Sequence, residues 1–485
     1  MKFQFTQNVT SGLFWIGLFK TFGQLFIWVN TISIAHFLNP ADYGLVAMAS
    51  LLTTFILLIG DFGFGSSIIQ KKELHMIHVY SLFWIAATVG IGFLLVVYFG
   101  APWYAGFFNN VEIIPILQLS TVAFFFNIIA DVPNQLILKN LRYKTTGLID
   151  FTSNLVASIS VLVFAIRGFG AYSLVFGSII TGVLKFSLAC WFGRWFPQAQ
   201  FQRQGLRGYF KFGGALVIDR ILWYAYSNAD FIILAKRLGQ VPFGLYSFAL
   251  NLATIPTSKL QPILYPVLFS SFSKIQEDLP QLRAHYLKII DFVFTLYAMI
   301  YCGIFWVIPE FVKIFLGPKW EPIIPVIRIL LLIQPLRAVS SLSPSLINAL
   351  GRPGVGAKNM VIFVALMIPS FFLASQWGMM GVAYVWCTVY PVAFFITLTQ
   401  TNRVSGITLP QYVAQLVSGL KLSVLTSIVI FTFRFFLEQL YPTRNLVFLW
   451  LNFGGTIGVG IIVNAAGLWF LERRYLTMIW TLFKR

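Results

Sequence analysis

Apolar residues in this chain come in long unbroken runs. Each is about as long as a helix needs to cross a bilayer, roughly 20 residues. Fourteen such runs follow one another, with cores near 14–34, 43–60, 79–99, 113–130, 146–166, 171–192, 212–234, 243–265, 286–308, 323–347, 359–375, 378–398, 416–436 and 446–470. Polar residues are confined to the stretches between them. None of these exceeds about 20 residues, too short for a folded domain outside the membrane. A β-barrel would show short alternating segments instead of continuous runs. The pattern therefore predicts an all-α polytopic membrane protein with about fourteen transmembrane helices.

Part of the pattern repeats. In the stretch Ile34–Glu73, residues Ala35, Leu38, Gly44, Leu45, Ala49, Leu52 and Thr54 match Ala235, Leu238, Gly244, Leu245, Ala249, Leu252 and Thr254, an offset of 200 (235 − 35). Further on, "IIPILQL" from Ile113 resembles "IIPVIRI" from Ile323, and Leu136, Ile137 and Arg142 match Leu346, Ile347 and Arg352, an offset of 210 (323 − 113). Periods this long do not belong to a solenoid. They predict two pseudo-symmetric six-helix bundles. An even number of helices separates equivalent positions, so the repeats run parallel about an axis along the membrane normal. The basic stretch 193–208, "GRWFPQAQFQRQGLRG", reads as a cytoplasmic linker. The expected organisation is a bundle over 1–192, the linker over 193–208, a second bundle over 209–400, and two additional helices with a basic cytoplasmic tail over 401–485.

Composition agrees: 58% of residues are hydrophobic and 10% charged, against roughly 25% charged in soluble domains. The net charge of +19 is explained by position rather than by nucleic acid. With the N-terminus placed in the cytoplasm, cytoplasmic segments collect Lys71, Lys72, Lys139, Arg142, Lys144, Arg194, Arg203, Arg207, Arg352, Lys358, Arg473 and Arg474, among others. The opposite side holds only Arg167, Lys236, Arg237, Lys313, Lys319 and Arg444. This is the positive-inside pattern, with both termini cytoplasmic. The start "MKFQFTQNVTSG" lacks the features of a cleaved signal. Cys190, Cys302 and Cys387 lie far apart within apolar runs; they read as small packing residues, with no metal or disulfide spacing.

No catalytic constellation is visible. Zinc-binding and nucleophile-elbow motifs are missing. "GRPGVGAK" from Gly351 lacks the ending of a phosphate loop, and "GDFGFG" from Gly60 is too short for a dinucleotide fingerprint. His36, His75, His78 and His285 lie at helix ends or loops and receive no role. No cofactor and no metal are expected. The informative residues are charges inside spans. Each costs about 2.5–3.5 kcal/mol to insert, so each must face protein or water. Lys20 and Arg220 stand 200 apart (220 − 20) on equivalent helices. Two cations at one level suit a diphosphate held between the halves; the alternative is local pairing and snorkelling. Arg337 and Gln334 sit mid-span beside Pro335, which is expected to break the helix. Lys259 lies among Pro256, Pro262 and Pro266, which are expected to bend theirs. These four cations, Lys20, Arg220, Lys259 and Arg337, are the candidate contacts for a substrate diphosphate, held by Lys20 and Arg220 with Arg337 and Lys259 assisting. Asp61, Asp219, Asp230 and Gln334 are candidates for a polar cavity or for coupling. Asp230 can bind a cation or proton, or pair with an arginine. Lys185 and Arg328 sit near span ends; Arg434 and Glu438 lie in or after the thirteenth run.

These stretches resemble a known family. "FLNPADYGLVAMASLLTTFILLIGDFGFGSSIIQKKEL", "VPNQLILKNLRYKTTGLIDF" with "GFGAYSLVFGSI", and "NADFIILAKRLGQVPFGLYSFALNLATIP" with "LYPVLFSSFSKIQED" are similar to the signatures of bacterial Wzx-type polysaccharide flippases, especially the colanic-acid exporter branch. The resemblance spans about residues 10–400. One departure is Ala235, where the family more often has glycine. The resemblance implies membership of the multidrug/oligosaccharidyl-lipid/polysaccharide exporter superfamily. It implies two bundles around a cavity open alternately to each face, and a substrate of oligosaccharide joined through diphosphate to a polyprenyl lipid. It further implies a bacterial inner-membrane location, a role in surface polysaccharide synthesis, a non-enzymatic monomer, and contact with polysaccharide polymerase and the synthesis machinery. A multidrug exporter would instead show an acidic cavity. A membrane polymerase or glycosyltransferase would show acidic catalytic residues and a sizeable extracytoplasmic loop.

Overall fold

The computed structural model describes residues 26, 29–60, 68, 74–202, 221, 223–275, 277–441 and 446–470. Among the described residues all regular structure is helical. The α-helices are α1 (Pro40–Gly60), α2 (Met76–Phe108), α3 (Ile113–Lys139), α4 (Tyr143–Ile166), α5 (Ala171–Gly193), α6 (Ala229–Leu238), α7 (Gln240–Lys274), α8 (Leu279–Phe311), α9 (Ile323–Ser340), α10 (Ser343–Ala349), α11 (Pro353–Ala374), α12 (Gly378–Ser405), α13 (Leu409–Ala414), α14 (Val417–Leu440) and α15 (Leu446–Phe470). Among the described residues ten helical stretches are long and apolar enough to cross a membrane. One of them, Pro353–Ser405, holds two of the expected spans, α11 and α12. These are separated by a turn at Ser375–Trp377 and by Gly378, whose φ of 69° suits glycine. The expected span at 14–34 falls largely outside the described residues, and that at 212–234 is described at 221 and 223–234.

The chain forms two compact units, Met1–Gly244 and Leu245–Arg485. The boundary lies inside α7, at the duplicated Gly244–Leu245 pair. The stretch expected as a linker, 193–208, lies in the first unit, and its residues 193–202 are described. There Trp195 is buried against Tyr80 and Phe83 of α2, and the Trp84 indole donates to the Gln198 carbonyl at 2.7 Å.

In the first unit α3 is central, packed against α1, α2, α4 and α5. The starts of α1 and α5 are organised by one carboxylate. Asp42 accepts from the Asn39 N–H at 2.8 Å, closing the first turn of α1. It also accepts from the Ala171 N–H at 3.0 Å, at the start of α5. An anion here satisfies free amides of two helix N-termini and complements both dipoles. The duplicated turns meet within this unit. A Cβ on Gly44 would lie 2.0 Å from the Gln240 carbonyl oxygen, and a Cβ on Gly244 would lie 1.9 Å from that of Pro40. The contact is reciprocal at the offset of 200 (240 − 40 and 244 − 44), so α1 and the first turn of α7 cross backbone to backbone. Only glycine permits that approach. Gln240 is held further by Asn110 and by Glu112, the latter at 3.3 Å.

In the second unit α8 packs against α9, α14 and α15, and α9 and α11 pack against α12. Three prolines do not interrupt α7, which continues through Pro256, Pro262 and Pro266. Pro335 likewise leaves α9 unbroken to Ser340, contrary to the expected break. A proline inside a helix removes one N–H and clashes with the carbonyl four residues back. Of these prolines Pro335 is buried, while Pro256 is half-buried and Pro262 exposed. Beside Pro256, the Thr257 N–H donates to the Tyr301 hydroxyl at 3.2 Å.

Candidate functional site

The second unit contains a guanidinium whose buried Nη1 has no hydrogen-bond partner. Arg337 lies in the last turn of α9, its guanidinium carbon 4.2 Å from the centroid of the Trp386 ring on α12. Its Nη1 is buried and has no hydrogen-bond partner, and Arg337 forms no ion pair among the described residues. Gln334 stands three residues earlier on the same helix side. It is 1% exposed, and its Nε2 also lacks a hydrogen-bond partner.

Aromatic groups fix this corner. Trp386 is 1% exposed, and its indole N–H donates to the Tyr246 hydroxyl at 3.0 Å. Tyr390, one turn further along α12, lies 5.7 Å from Trp386 between ring centroids and hydrogen-bonds Ser340. Arg337 is within electrostatic reach of both Tyr390 and Tyr301. Tyr301 stacks on Tyr297 at 6.0 Å and 17°. The result is a cation pinned against one ring and surrounded by others. Its buried Nη1 donates to no oxygen acceptor among the described residues. Burying such donors unsatisfied costs about 1–3 kcal/mol each, so the arrangement is suited to an anionic or hydroxyl-rich ligand.

Three other cations of apolar helices among the described residues have protein partners. Lys185 on α5 pairs with Asp150 on α4 at 3.1 Å. Arg328 lies over the Phe305 ring at 5.0 Å. Arg434 on α14 pairs with Glu310 on α8, with Nη1–Oε2 at 3.3 Å, and also donates to the Trp306 carbonyl. Asn452 on α15 donates to the same Glu310 at 3.0 Å. This buried network ties the last two long helices to α8.

The sequence candidates are thus distributed as follows. Arg337 and Gln334 are brought together. Lys259 is exposed on α7. Asp230 is fully buried at the start of α6, where its carboxylate accepts from the Phe231 N–H at 2.9 Å. Lys20, Asp61, Asp219 and Arg220 lie outside the described residues. Sequence reading did not single out Trp386, Tyr390 or Glu310. The i, i+4 spacing of Trp386 and Tyr390 was the available signal for the first two. Glu310 lies beyond the expected span 286–308, because α8 continues through Pro309 to Phe311.

A family model described as polysaccharide biosynthesis protein matches residues 33–325, more than half of the chain. The chain belongs to the polysaccharide biosynthesis protein family. It is 27% identical over 405 residues to the lipopolysaccharide biosynthesis protein WzxC of Escherichia coli (strain K12), covering 83% of this chain and 82% of that protein. It is 23% identical over 396 residues to the teichuronic acid biosynthesis protein TuaB of Bacillus subtilis (strain 168), covering 81% and 82%. The fold is that of the lipid II flippase MurJ in an inward closed conformation, with a TM-score of 0.73 at 11% identity, covering 95% of this chain and 99% of that one. This member of the polysaccharide biosynthesis family is therefore a multi-pass membrane protein of transporter fold. Its matched segment ends within α9, and Arg337 and Trp386 lie beyond it.

Proposed function

We propose that the protein is a flippase that carries a polyprenyl-diphosphate-linked oligosaccharide across the bacterial inner membrane, for surface polysaccharide synthesis. The observation that carries the reading is the Arg337 guanidinium, its buried Nη1 without a hydrogen-bond partner, beside buried Gln334 in a helical unit of transporter fold. Such a group needs a polar, anionic substrate rather than a cationic drug. Family membership and the relatives' roles in polysaccharide biosynthesis support the same reading. The two bundles 1–192 and 209–400 would move against each other, with 193–208 joining them and 401–485 as an appendix. Both termini would be cytoplasmic. We assign the diphosphate to Lys20 and Arg220, with Lys259 and Arg337 contributing cationic character to the route. Asp61, Asp219 and Asp230 are assigned to a polar lining or to coupling. The protein would act as a monomer, without catalysis and without a cofactor, in contact with the polymerase and synthesis machinery.

The sign of the charge favours export. A diphosphate with about two negative charges, moving outward from a negative cytoplasm, gains about 2.3 kcal/mol per charge per 100 mV if uncompensated. The potential is therefore sufficient in principle to drive net transport. The test is cellular. A Lys20→Gln, Arg220→Gln double variant is expected at normal membrane abundance but without surface polysaccharide. Normal surface polysaccharide in that variant overturns the assignment.

A further inference from the structure

We propose that the corner of the first unit between the start of α4 and the end of α5 is a docking site for an anionic phospholipid headgroup, held by Arg142 and Arg194 and flanked by Trp191 and Phe196. The proposal does not depend on what the chain transports.

Three observations carry this. The first is level. α4 and α5 are 24 and 23 residues long, about 35 Å at about 1.5 Å per residue, against about 30 Å for a hydrocarbon core. Residues at their ends therefore lie at the headgroups. Arg142 stands just before the first turn of α4, and Arg194 just after the last turn of α5. The two helix ends touch there, because the Arg142 Nη1 donates to the Phe192 carbonyl at 3.0 Å.

The second is charge. Both arginines are exposed, and neither pairs with a carboxylate among the described residues. Lys144, also exposed, follows in the first turn of α4. Asp150, deeper on α4, is taken by Lys185. Two guanidiniums present donors in the fork geometry that phosphate oxygens accept. The backbone is held in an uncommon form at this same corner. Leu141 and Arg194 have φ of 54° and 49°, a region that residues with side chains rarely adopt and that persists where the surroundings enforce it.

The third is the apolar rim. Beyond Arg194 the chain runs along α2 to Gln202. It is pinned by buried Trp195, by the Trp84–Gln198 bond, and by the Gln202 N–H donating to the Ser81 Oγ at 2.8 Å. On this pinned segment Phe196 and Phe201 are each 60% exposed, and Trp191, in the last turn of α5, is 72% exposed. Cations beside outward-facing aromatic rings are the composition of a membrane-interface element. An acidic protein would use the charges and leave the rings at headgroup level without a role. An acidic lipid uses both, its phosphate on the arginines and its glycerol–acyl boundary on the rings.

The test is native mass spectrometry of the purified full-length protein with dioleoylphosphatidylglycerol or dioleoylphosphatidylcholine added. Phosphatidylglycerol is expected to stay bound at collision energies that strip phosphatidylcholine, and an excess of inorganic phosphate should not displace it. The Arg142→Gln, Arg194→Gln double variant should lower phosphatidylglycerol occupancy about tenfold. Lys236→Gln with Arg237→Gln makes the same change of charge at the opposite end of α2, where Lys236 lies over Phe107, and should leave the occupancy unchanged. Arg194→Gln alone keeps the Arg142–Phe192 bond and covers the case in which the double variant does not fold. It should lose part of the occupancy, and Arg194→Lys less. In melting curves phosphatidylglycerol should raise the midpoint of the unaltered protein above its value in phosphatidylcholine, and the gap should shrink in Arg194→Gln. Equal retention of the two lipids, displacement by inorganic phosphate, unchanged occupancy in the arginine variants, or an equal loss in the Lys236→Gln, Arg237→Gln variant each overturns the proposal.

Discussion

Single side chains do different kinds of work here. Asp42 holds two helix starts through the Asn39 and Ala171 N–H groups. Asp42→Ala should lower thermal stability by about 1–2 kcal/mol, the usual cost of a lost cap. Asp42→Asn should recover only part of it, because its single amide oxygen replaces one of the two carboxylate acceptors, and a melting curve of the purified variants checks both. Arg337 contributes little to stability by comparison, because it has no hydrogen-bonded protein partner to lose. Arg337→Gln should therefore lower surface polysaccharide in cells without lowering the melting temperature. Half of this site was legible in the sequence. A charge and an amide three residues apart in an apolar run stand out, and both lie at the site. The rings did not stand out, since this chain has 51 Phe, 14 Trp and 19 Tyr. Only packing tells which of them faces a guanidinium.

At the scale of elements, two contacts are open to test. The Gly44–Gly244 crossing leaves no space for a side chain, and the opposing atoms are backbone carbonyls that cannot swing aside. Gly44→Ala and Gly244→Ala should each reduce the yield of folded protein, with valine at either position more severe. Size-exclusion profiles in detergent would show it. The Glu310–Arg434–Asn452 network holds α14 and α15 on α8. Glu310→Ala leaves a buried guanidinium without its counter-charge, a loss of about 3–5 kcal/mol for a buried pair. Arg434→Leu together with Glu310→Leu should be far milder, and comparing melting temperatures of the single and double variants decides it. The repeat was visible in sequence because its glycines are required at a fixed contact. The unbroken courses of α7 and α9 were not visible. Proline signals a local cost, and whether tertiary packing offsets that cost is not written in the local sequence. Glu310 escaped notice for the same reason, since α8 runs past Pro309.

For the whole molecule, hydropathy was enough to give the class, an all-helical membrane protein, because a bilayer forces backbone groups to pair within each span; the transporter organisation was read from the repeat and the family resemblance. Transport requires more than the fold. The account holds that the chain moves the head group of a lipid-linked oligosaccharide, with positive charge along the route and the membrane potential favouring export of negative charge. The most direct measurement reconstitutes the purified protein into vesicles holding a polyprenyl-diphosphate-linked oligosaccharide and adds an impermeant glycosidase outside. Vesicles with the protein should expose essentially all of the glycan to the enzyme, and faster when the potential draws negative charge outward. Vesicles in which only the outer-leaflet share is cleaved, as in those without the protein, would contradict the account.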